Sequence, residues 1–236
     1  MSALESEAGT LATSVTERLR AEILGGTLAP GKKLKVGLVS ERYATGASPV
    51  REALNRLVAD GLVIQYDQRG FSVAPVSLDD LRELVKTRCW LEKIALEQSI
   101  ANRDADWEEC LVLSFHRLSR TPRSSAAESY RTNPEWEKRH REFHAALLAK
   151  CGSKHLIRYC DELRDRADRY RQLAAVRIYP RRHEADEHKK IFDAAIEGRT
   201  SDAVDMLMGH YSTTAAIIEE HAGQIFATQG QSVSGK

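Results

Sequence analysis

The sequence predicts a mainly α protein of two domains, with a small domain of three helices and a β-hairpin in front of a larger all-helical bundle. Three observations lead to this prediction. Apolar residues recur at helical spacing through most of the 236 residues. A β-rich pattern is confined to one short stretch that ends at Pro75. From Ser77 onward the helical spacing resumes and continues nearly to the last residue.

The composition is that of an ordinary globular protein, with 42% hydrophobic and 29% charged residues. No apolar run approaches the ~20 residues that a membrane-spanning helix needs, and residues 1–13 lack the basic start and apolar core of a signal peptide. We therefore expect a cytoplasmic protein with no membrane partner and a disordered N-terminal tail over residues 1–13. The cysteines have no C-x-x-C spacing, which predicts buried free thiols at Cys89, Cys110, Cys151 and Cys160.

Residues 14–76 form the first predicted domain. Its first helix begins near Ser14 and is stopped by the glycines at 25–26, and its second spans about 36–45. The third opens at Ser48-Pro49, where a hydroxyl can cap the helix and proline suits the first helical position.

Two β-rich segments, 62–66 and 71–74, follow these helices and flank the polar tip Asp67-Gln68-Arg69-Gly70, which predicts a hairpin. Three short helices and a hairpin in this order are typical of a winged helix-turn-helix. Residues 14–76 carry nine Lys/Arg against six Asp/Glu, a net charge of +3, whereas residues 77–236 carry 26 of each. This mild asymmetry permits contact with nucleic acid but does not establish it.

Residues 77–222 form the second predicted domain, which is helical throughout. Ser77-x-x-Asp80 resembles a capping box with Asp in place of Glu or Gln. A polar connection is expected at 120–132 and a flexible tail at 223–236. The predicted helices lie near 78–102, 104–119, 134–150, 153–178, 181–197 and 200–222.

The most specific string in the chain is S-P-V-R-E-A-L-N-R-L at 48–57, followed by D-G-L-V at 60–63. It resembles the recognition helix of the GntR family of regulators, and Gln68-Arg69-Gly70-Phe71-x-Val73 is similar to that family's wing. The resemblance covers residues 14–76 and implies binding to a double-stranded DNA operator. Family members commonly carry Ser-Arg where this chain has Gly46-Ala47, so base readout should depend more on Arg51 and the wing.

The expected contacts follow from the chemistry of DNA. A helix N-terminus offers free N–H groups and a positive dipole end to phosphate. Arg51, one turn into the helix, can reach a guanine edge through two parallel hydrogen bonds. Lys35 is placed for a phosphate contact, and Arg69 can read the shape of the minor groove. The residues predicted to contact DNA are Lys35, Ser48, Pro49, Arg51, Arg69 and Gly70, the alternative being an ordinary solvated helix face.

Four of the eight histidines have an order that can build a metal site. His140 and His144 are four apart and share one helix face, and His188 and His210 lie on two later helices. Taken singly, such histidines are more often ordinary core or surface residues, so the spacing alone leaves the question open.

A second resemblance bears on that question. Residues 77–222 resemble the FCD effector domain of the FadR-type branch of GntR regulators, whose metal-binding members carry D-x-x-F-H, then E-H, then a late H. This chain has His140-x-x-Phe143-His144, Glu187-His188 and His210 in that order, with His140 in place of Asp. The resemblance implies a divalent transition metal, zinc first and nickel as the alternative, held by four neutral imidazoles.

The all-histidine set would leave the ion a net charge of +2, which an incoming carboxylate could reduce. Arg88 matches a family arginine that faces the ligand cavity, and a guanidinium binds a carboxylate through its planar fork. Arg166 and Tyr170 are further effector-binding candidates, with a charged outer helix face as the alternative. Short strings, including Arg169-Tyr170-Arg171, most resemble carbon-starvation-induced regulators, which sense glutarate.

Two other functions are alternatives to a homodimeric, effector-controlled regulator. A metal-dependent enzyme is disfavoured because the chain has no H-E-x-x-H motif and no obvious general base beside the histidines. A metal-stabilised DNA-binding protein without a small ligand remains open. A homodimer is expected because helix-turn-helix proteins read paired half-sites.

Overall fold

A computed structural model describes residues 3–67, 69–126, 130–178 and 184–223. The small domain contains α1 Ala3–Leu24, β1 Lys33–Leu34, α2 Val36–Tyr43, α3 Ala47–Ala59, β2 Val63–Tyr66 and β3 Gly70–Val73. The helical domain contains α4 Leu78–Ala101, α5 Ala105–Ser119, α6 Pro134–Leu148, α7 Lys154–Ile178, α8 Glu184–Ile196 and α9 Thr200–Glu220. Among the described helices, none combines the length and apolar composition needed to cross a bilayer.

The small domain is a winged helix-turn-helix, as the sequence predicts, but its sheet has a third strand. β3 lies between β1 and β2 and is antiparallel to both, with Phe71 opposite Leu34 on one side and Gln65 on the other. The two-residue β1 is too short to produce an alternating pattern, which is why the sequence predicts only the hairpin.

The recognition helix α3 buries one face against α1 and the sheet. Val50, Ala53, Leu54 and Leu57 are fully buried there. Ser48 was expected to cap this helix, and the structure corrects that expectation. Gly46 is the N-cap and Ser48 lies within the first turn. Pro49 is tolerated there because N–H groups of the first turn have no intrahelical partner.

The structure differs from the prediction at the N-terminal tail. Helix α1 starts at Ala3, so the expectation of disorder over 1–13 is wrong from that residue on. The sequence periodicity did not reveal that the end of this segment packs against the domain, where Ala12 is fully buried. Residues 224–236, which include almost all of the predicted C-terminal tail, lie outside the described residues, as do Gln68 of the wing and 181–183 of the predicted fifth helix of the bundle.

The helical domain follows the predicted order of helices closely. Helix α4 packs on α7 and α9, α5 on α6, and α8 on α9, around a core that includes Trp107, Phe143 and Leu207. The Ser77 hydroxyl caps α4 by accepting from the Asp80 N–H at 3.1 Å. The four thiols are free, but Cys110 is exposed and Cys89 is only partly buried, so the prediction of burial is wrong for these two residues.

Helix α7 joins the two domains. It packs on α1, and Arg169 donates hydrogen bonds to the carbonyls of Ala74 and Pro75 in the segment between the domains. The Tyr170 hydroxyl donates to Asp80 at 2.5 Å and accepts from the Ser77 N–H at 3.1 Å. The start of α4 and the connecting segment are therefore fixed to the same helix.

Candidate metal centre and nucleic-acid interface

The structure brings the four predicted histidines together inside the helical domain. His140 and His144 come from α6, His188 from α8 and His210 from α9. All four are buried, and one ligand nitrogen of each lies within 4.8 Å of those of the others. The Nε2 atoms of His140 and His144 are 3.1 Å apart. Three helices that are separate in the sequence thus bring the four imidazole groups together.

The environment keeps these rings ready to bind a metal rather than a proton. Burial, the neighbouring His144 and the charge of Arg171 hold the pKa of His140 well below its usual value. Burial and the charges of His188 and His210 do the same to the pKa of His144. Both rings are therefore neutral at pH 7, the form in which imidazole coordinates metals.

Polar neighbours orient two of the four rings. The Tyr211 hydroxyl donates to the Glu92 carboxylate at 2.5 Å and lies 3.2 Å from Nδ1 of His144. Since the hydroxyl proton goes to Glu92, the phenol oxygen is left to accept from the His144 Nδ1–H, which leaves Nε2 for coordination. Glu187 lies 2.7 Å from Nδ1 of His210 and fixes that ring in the same way.

The cluster fits a divalent transition metal on the chemistry of its donors. Zinc is bound by imidazole nitrogens at about 2.0–2.1 Å in tetrahedral sites, which spaces the nitrogens roughly 3.3 Å apart. The separation of His140 and His144 is already close to this spacing. Imidazole also suits nickel, copper and cobalt, so the donor set selects a class of metal rather than one ion.

A narrow cavity opens beside the histidines and carries two guanidinium groups. Its lining includes His140, His210, Tyr211, Arg88 and Arg171. Arg88 was predicted from the sequence, and it donates to Glu92 at 2.6 Å and lies over the Tyr211 ring at 3.7 Å. Arg171 was not predicted. It forms ion pairs with Glu137 of α6 and with Asp168 of its own helix.

The structure places the other two effector candidates elsewhere. Arg166 packs its guanidinium against Gly61 of the small domain. Tyr170 is buried beneath Ser77 and Asp80, where it supports the domain junction. Neither residue is among those lining the cavity, because they share a face of α7 about 100° around the helix from the face that carries Ala167 and Arg171.

The residues that sequence reasoning missed are those that support the histidines. Glu92 lies four residues after Arg88, so the ion pair between them was visible as an i,i+4 pattern. Tyr211 follows His210 directly, but the sequence did not indicate its role. That role depends on the hydrogen bond that its hydroxyl on α9 donates to Glu92 on α4. Asp168 and Arg171 were not predicted as site residues, and both line the cavity.

The residues predicted to contact DNA are exposed on the small domain, except that Pro49 is partly buried. Lys35 is the exposed N-cap of α2, and Ser48 and Arg51 are exposed on the first turns of α3. Arg69 and Gly70 are exposed at the wing, where Gly70 has a φ of +81°. Arg56 pairs with Glu52 at 2.6 Å, whereas Arg51 has no ion pair within the described parts of the chain. Its guanidinium is available to another molecule.

Comparison with known proteins gives matches to both domains. The profile of bacterial regulatory proteins of the gntR family matches residues 11–73, and that of the FCD domain matches residues 83–213. An HTH-type transcriptional regulator of Paraburkholderia xenovorans, BphR, is 38% identical over 86% of this chain and 83% of its own. The HTH-type transcriptional repressor GlaR of Escherichia coli is 32% identical over 86% of this chain and 93% of its own.

Solved structures show the same architecture. E. coli McbR/YncC superposes with a TM-score of 0.75 at 20% identity and covers 90% of this chain and 98% of its own. A putative GntR regulator from Rhodococcus sp. RHA1 gives a TM-score of 0.68 at 23% identity, over 89% of this chain and 97% of its own. At these identities the likeness concerns the fold alone.

Proposed function

Because this chain belongs to the GntR family of transcription regulators and carries an FCD domain behind its DNA-binding domain, we propose that it is a metal-containing repressor released from DNA by a small dicarboxylate. The chain is a transcription regulator and not an enzyme. The remaining parts of the proposal are the metal, the ligand and the direction of control.

One observation carries the proposal: two of the four clustered imidazoles line the same cavity as two guanidinium groups. His140 and His210 line this cavity together with Arg88 and Arg171. Bound to the imidazoles, a divalent metal would supply an electrophilic position for a carboxylate oxygen. Arg88 or Arg171 would then hold a second carboxylate through bidentate hydrogen bonds.

The two guanidinium groups are held in place before a ligand arrives. The pKa of Arg88 is raised above its usual value, since the charges of Glu92 and Tyr211 outweigh burial, which lowers it. The pKa of Arg171 is raised in the same way by Glu137 and Asp168 against burial. Both groups therefore stay charged in a buried setting, and a ligand need not pay for ordering them.

The E. coli relative named a repressor supports the repressing role, and the likeness to carbon-starvation-induced regulators makes glutarate the first ligand to test. A homodimer would place two copies of α3 on paired half-sites of the operator. A DNA-binding regulator acts where the chromosome is, so we place this one in the cytoplasm.

The test is calorimetry of C3 to C6 dicarboxylates with zinc-loaded and chelator-treated protein, followed by operator binding at saturating ligand. A ligand held at both ends should discriminate by length, because a wrong span leaves its second carboxylate without a guanidinium partner in a buried setting. We expect binding to require metal, to weaken in Arg88→Ala, and to lower operator affinity. The matched control is Arg82→Ala, an exposed arginine of the same helix.

Equal affinity for every length, or full affinity in Arg88→Ala, would contradict the two-point anchoring. Tight binding with no change in operator affinity would contradict the regulatory role. Failure of all dicarboxylates to bind, with metal present and needed for folding, would favour the remaining alternative, a metal-stabilised DNA-binding protein without a small ligand.

A further inference from the structure

A chain of ion pairs runs from the wall of the cavity to the end of the recognition helix. Asp168, which lines the cavity, accepts from Arg141 at 3.0 Å. Arg141 also donates to Asp165, which in turn accepts from Arg20 at 2.5 Å. The second Nη of Arg20 donates to Asp60, the C-cap of α3. We call Asp168, Arg141, Asp165, Arg20 and Asp60 the ion-pair chain.

The ion-pair chain is firmly held at its inner end. The side chains of Asp165 and Asp168 are each 12% exposed, and those of Arg20 and Asp60 are 31% exposed. Isolated pairs at the surface contribute little, but linked pairs that are partly buried reinforce one another. Three of the groups, Arg141, Asp165 and Arg20, each bind two partners within the ion-pair chain, so moving one of them changes two contacts at once.

The inner end of the ion-pair chain is attached to the metal-binding helix. Arg141 directly follows His140 on α6, and His144 lies one turn further on. A ligand that shifts these two histidines must also shift Arg141, because a helix moves as a unit over so short a distance. Arg141 thus connects the metal-binding part of α6 to α7.

The outer end of the ion-pair chain is attached to the recognition helix by packing as well as charge. Gly61, with a φ of +70°, ends α3, and a Cβ at this position would overlap the guanidinium of Arg166 on α7. Asp60 and Gly61 therefore lie beside the part of α7 that carries Asp165 and Arg166. A small rotation of α7 would change the position of the end of α3 relative to the helical domain.

We propose that the ion-pair chain couples occupation of the four-histidine cavity to the orientation of the recognition helix, with Arg141 and Arg20 as positioning residues. The proposal rests on the proposed function insofar as a ligand of that cavity controls DNA binding. It requires that the contacts of Arg141 differ between the free and the occupied protein, since a ligand shifts an equilibrium only by its differential affinity for the two states.

The first test compares Arg20→Gln with the wild type in full-length, zinc-loaded protein. The control is Arg158→Gln, an exposed arginine of α7 whose partner, Glu162, lies on its own helix. Glutarate is the probe, and the quantity measured is the ratio of operator Kd with and without it. We expect Arg20→Gln to reduce this ratio at least five-fold, with glutarate affinity in the absence of DNA unchanged, and Arg158→Gln to keep the wild-type ratio.

An unchanged ratio in Arg20→Gln would overturn the coupling role. If glutarate does not bind the wild type, the proposed function has failed for that ligand, and the coupling is then decided by a second measurement that needs no ligand. Its reporters are the amides of Asp60, Gly61 and Leu62, which are hydrogen-bonded to carbonyls of α3.

This second measurement is hydrogen exchange at those amides in a double-mutant cycle. The cycle combines a change at Asp168, beside the cavity, with a change at Arg20, beside the recognition helix. Asp168→Asn should raise their exchange rates several-fold in the wild-type background and have little effect in Arg20→Gln. Arg141→Lys is the alternative inner change if Asp168→Asn does not fold. Equal effects in both backgrounds, or no effect in either, would show that the ion-pair chain does not couple the cavity to the recognition helix.

Discussion

The support that Tyr211 gives to His144 leads to a quantitative prediction about metal affinity. In Tyr211→Phe the ring remains but the hydroxyl is lost, together with its bond to Glu92 at 2.5 Å and its contact with His144 Nδ1 at 3.2 Å. Glu92 keeps its ion pair with Arg88, so the carboxylate is not left unpaired. The change therefore acts mainly on the orientation of the His144 ring.

The magnitude follows from the kind of contact that is removed. Loss of a group that orients a metal-bound histidine lowers metal affinity roughly 10–100-fold, which corresponds to about 1.4–2.8 kcal/mol at ~1.4 kcal/mol for each factor of ten. The free energy of unfolding should also fall by about 1.5–3 kcal/mol, as expected for a hydrogen bond to a charged group. Affinity and stability must therefore be measured separately.

The chain offers a matched control for this separation. Tyr170 is also buried and its hydroxyl also donates to a carboxylate at 2.5 Å, but it lies at the domain junction and not among the histidines. Tyr170→Phe should lower stability by a similar amount and leave metal affinity unchanged. Competition against a chromogenic zinc chelator gives the affinity and urea unfolding of the metal-free protein gives the stability. Wild-type zinc affinity in Tyr211→Phe, or an equal loss in Tyr170→Phe, would refute the reasoning.

Three further predictions concern DNA, the domain junction and pH. Arg51→Ala should cost roughly 1–3 kcal/mol of operator binding and relax the preference at one base position, whereas Lys35→Ala should weaken all duplexes alike and flatten the salt dependence in a fluorescence titration. Gly61→Ala should destabilise the protein by more than Gly26→Ala in thermal unfolding, because both glycines have a positive φ but only Gly61 has a guanidinium packed on it; equal losses would contradict that packing. Although burial raises the pKa of Asp168, the neighbouring arginines lower it overall, so its stabilising effect is present above its unfolded pKa of about 3.9 and is lost as the pH falls through the folded pKa. Metal-free Asp168→Asn should therefore show a shallower loss of stability than the wild type below about pH 4 in urea unfolding, and identical slopes would argue against this ion pairing.

The DNA-binding half of the molecule could be predicted largely from local signals. The recognition helix has a strong apolar face and a proline near its start, and the wing has an alternating pattern around Gly70, so each element is specified by residues close in sequence. The misplaced helix cap at Ser48 is a local error of two residues. Strand β1 escaped prediction because two residues form a strand only when a partner strand is already present.

The histidines of the candidate metal site were identified from their order along the chain. His140 and His144 share a helix face by spacing alone, but that face is buried by contacts with other helices, which include the rings of His188 from α8 and His210 from α9. The pKa of each ring depends on this burial and on neighbours from other helices. The sequence thus identified the ligand candidates, and the packing decided their protonation.

What the sequence by itself determined is the set of helices, the recognition helix and its wing, the four histidines and Arg88, because each depends on short-range periodicity or on a motif of fixed spacing. What only the tertiary structure decided is which charged residues of α7 face the cavity. Arg166, Asp168 and Arg171 lie within two turns of one helix, yet one contacts Gly61 and the other two line the cavity. Their roles depend on the rotation of α7, which is set by packing against α1, α4 and α9 and leaves no trace in local sequence.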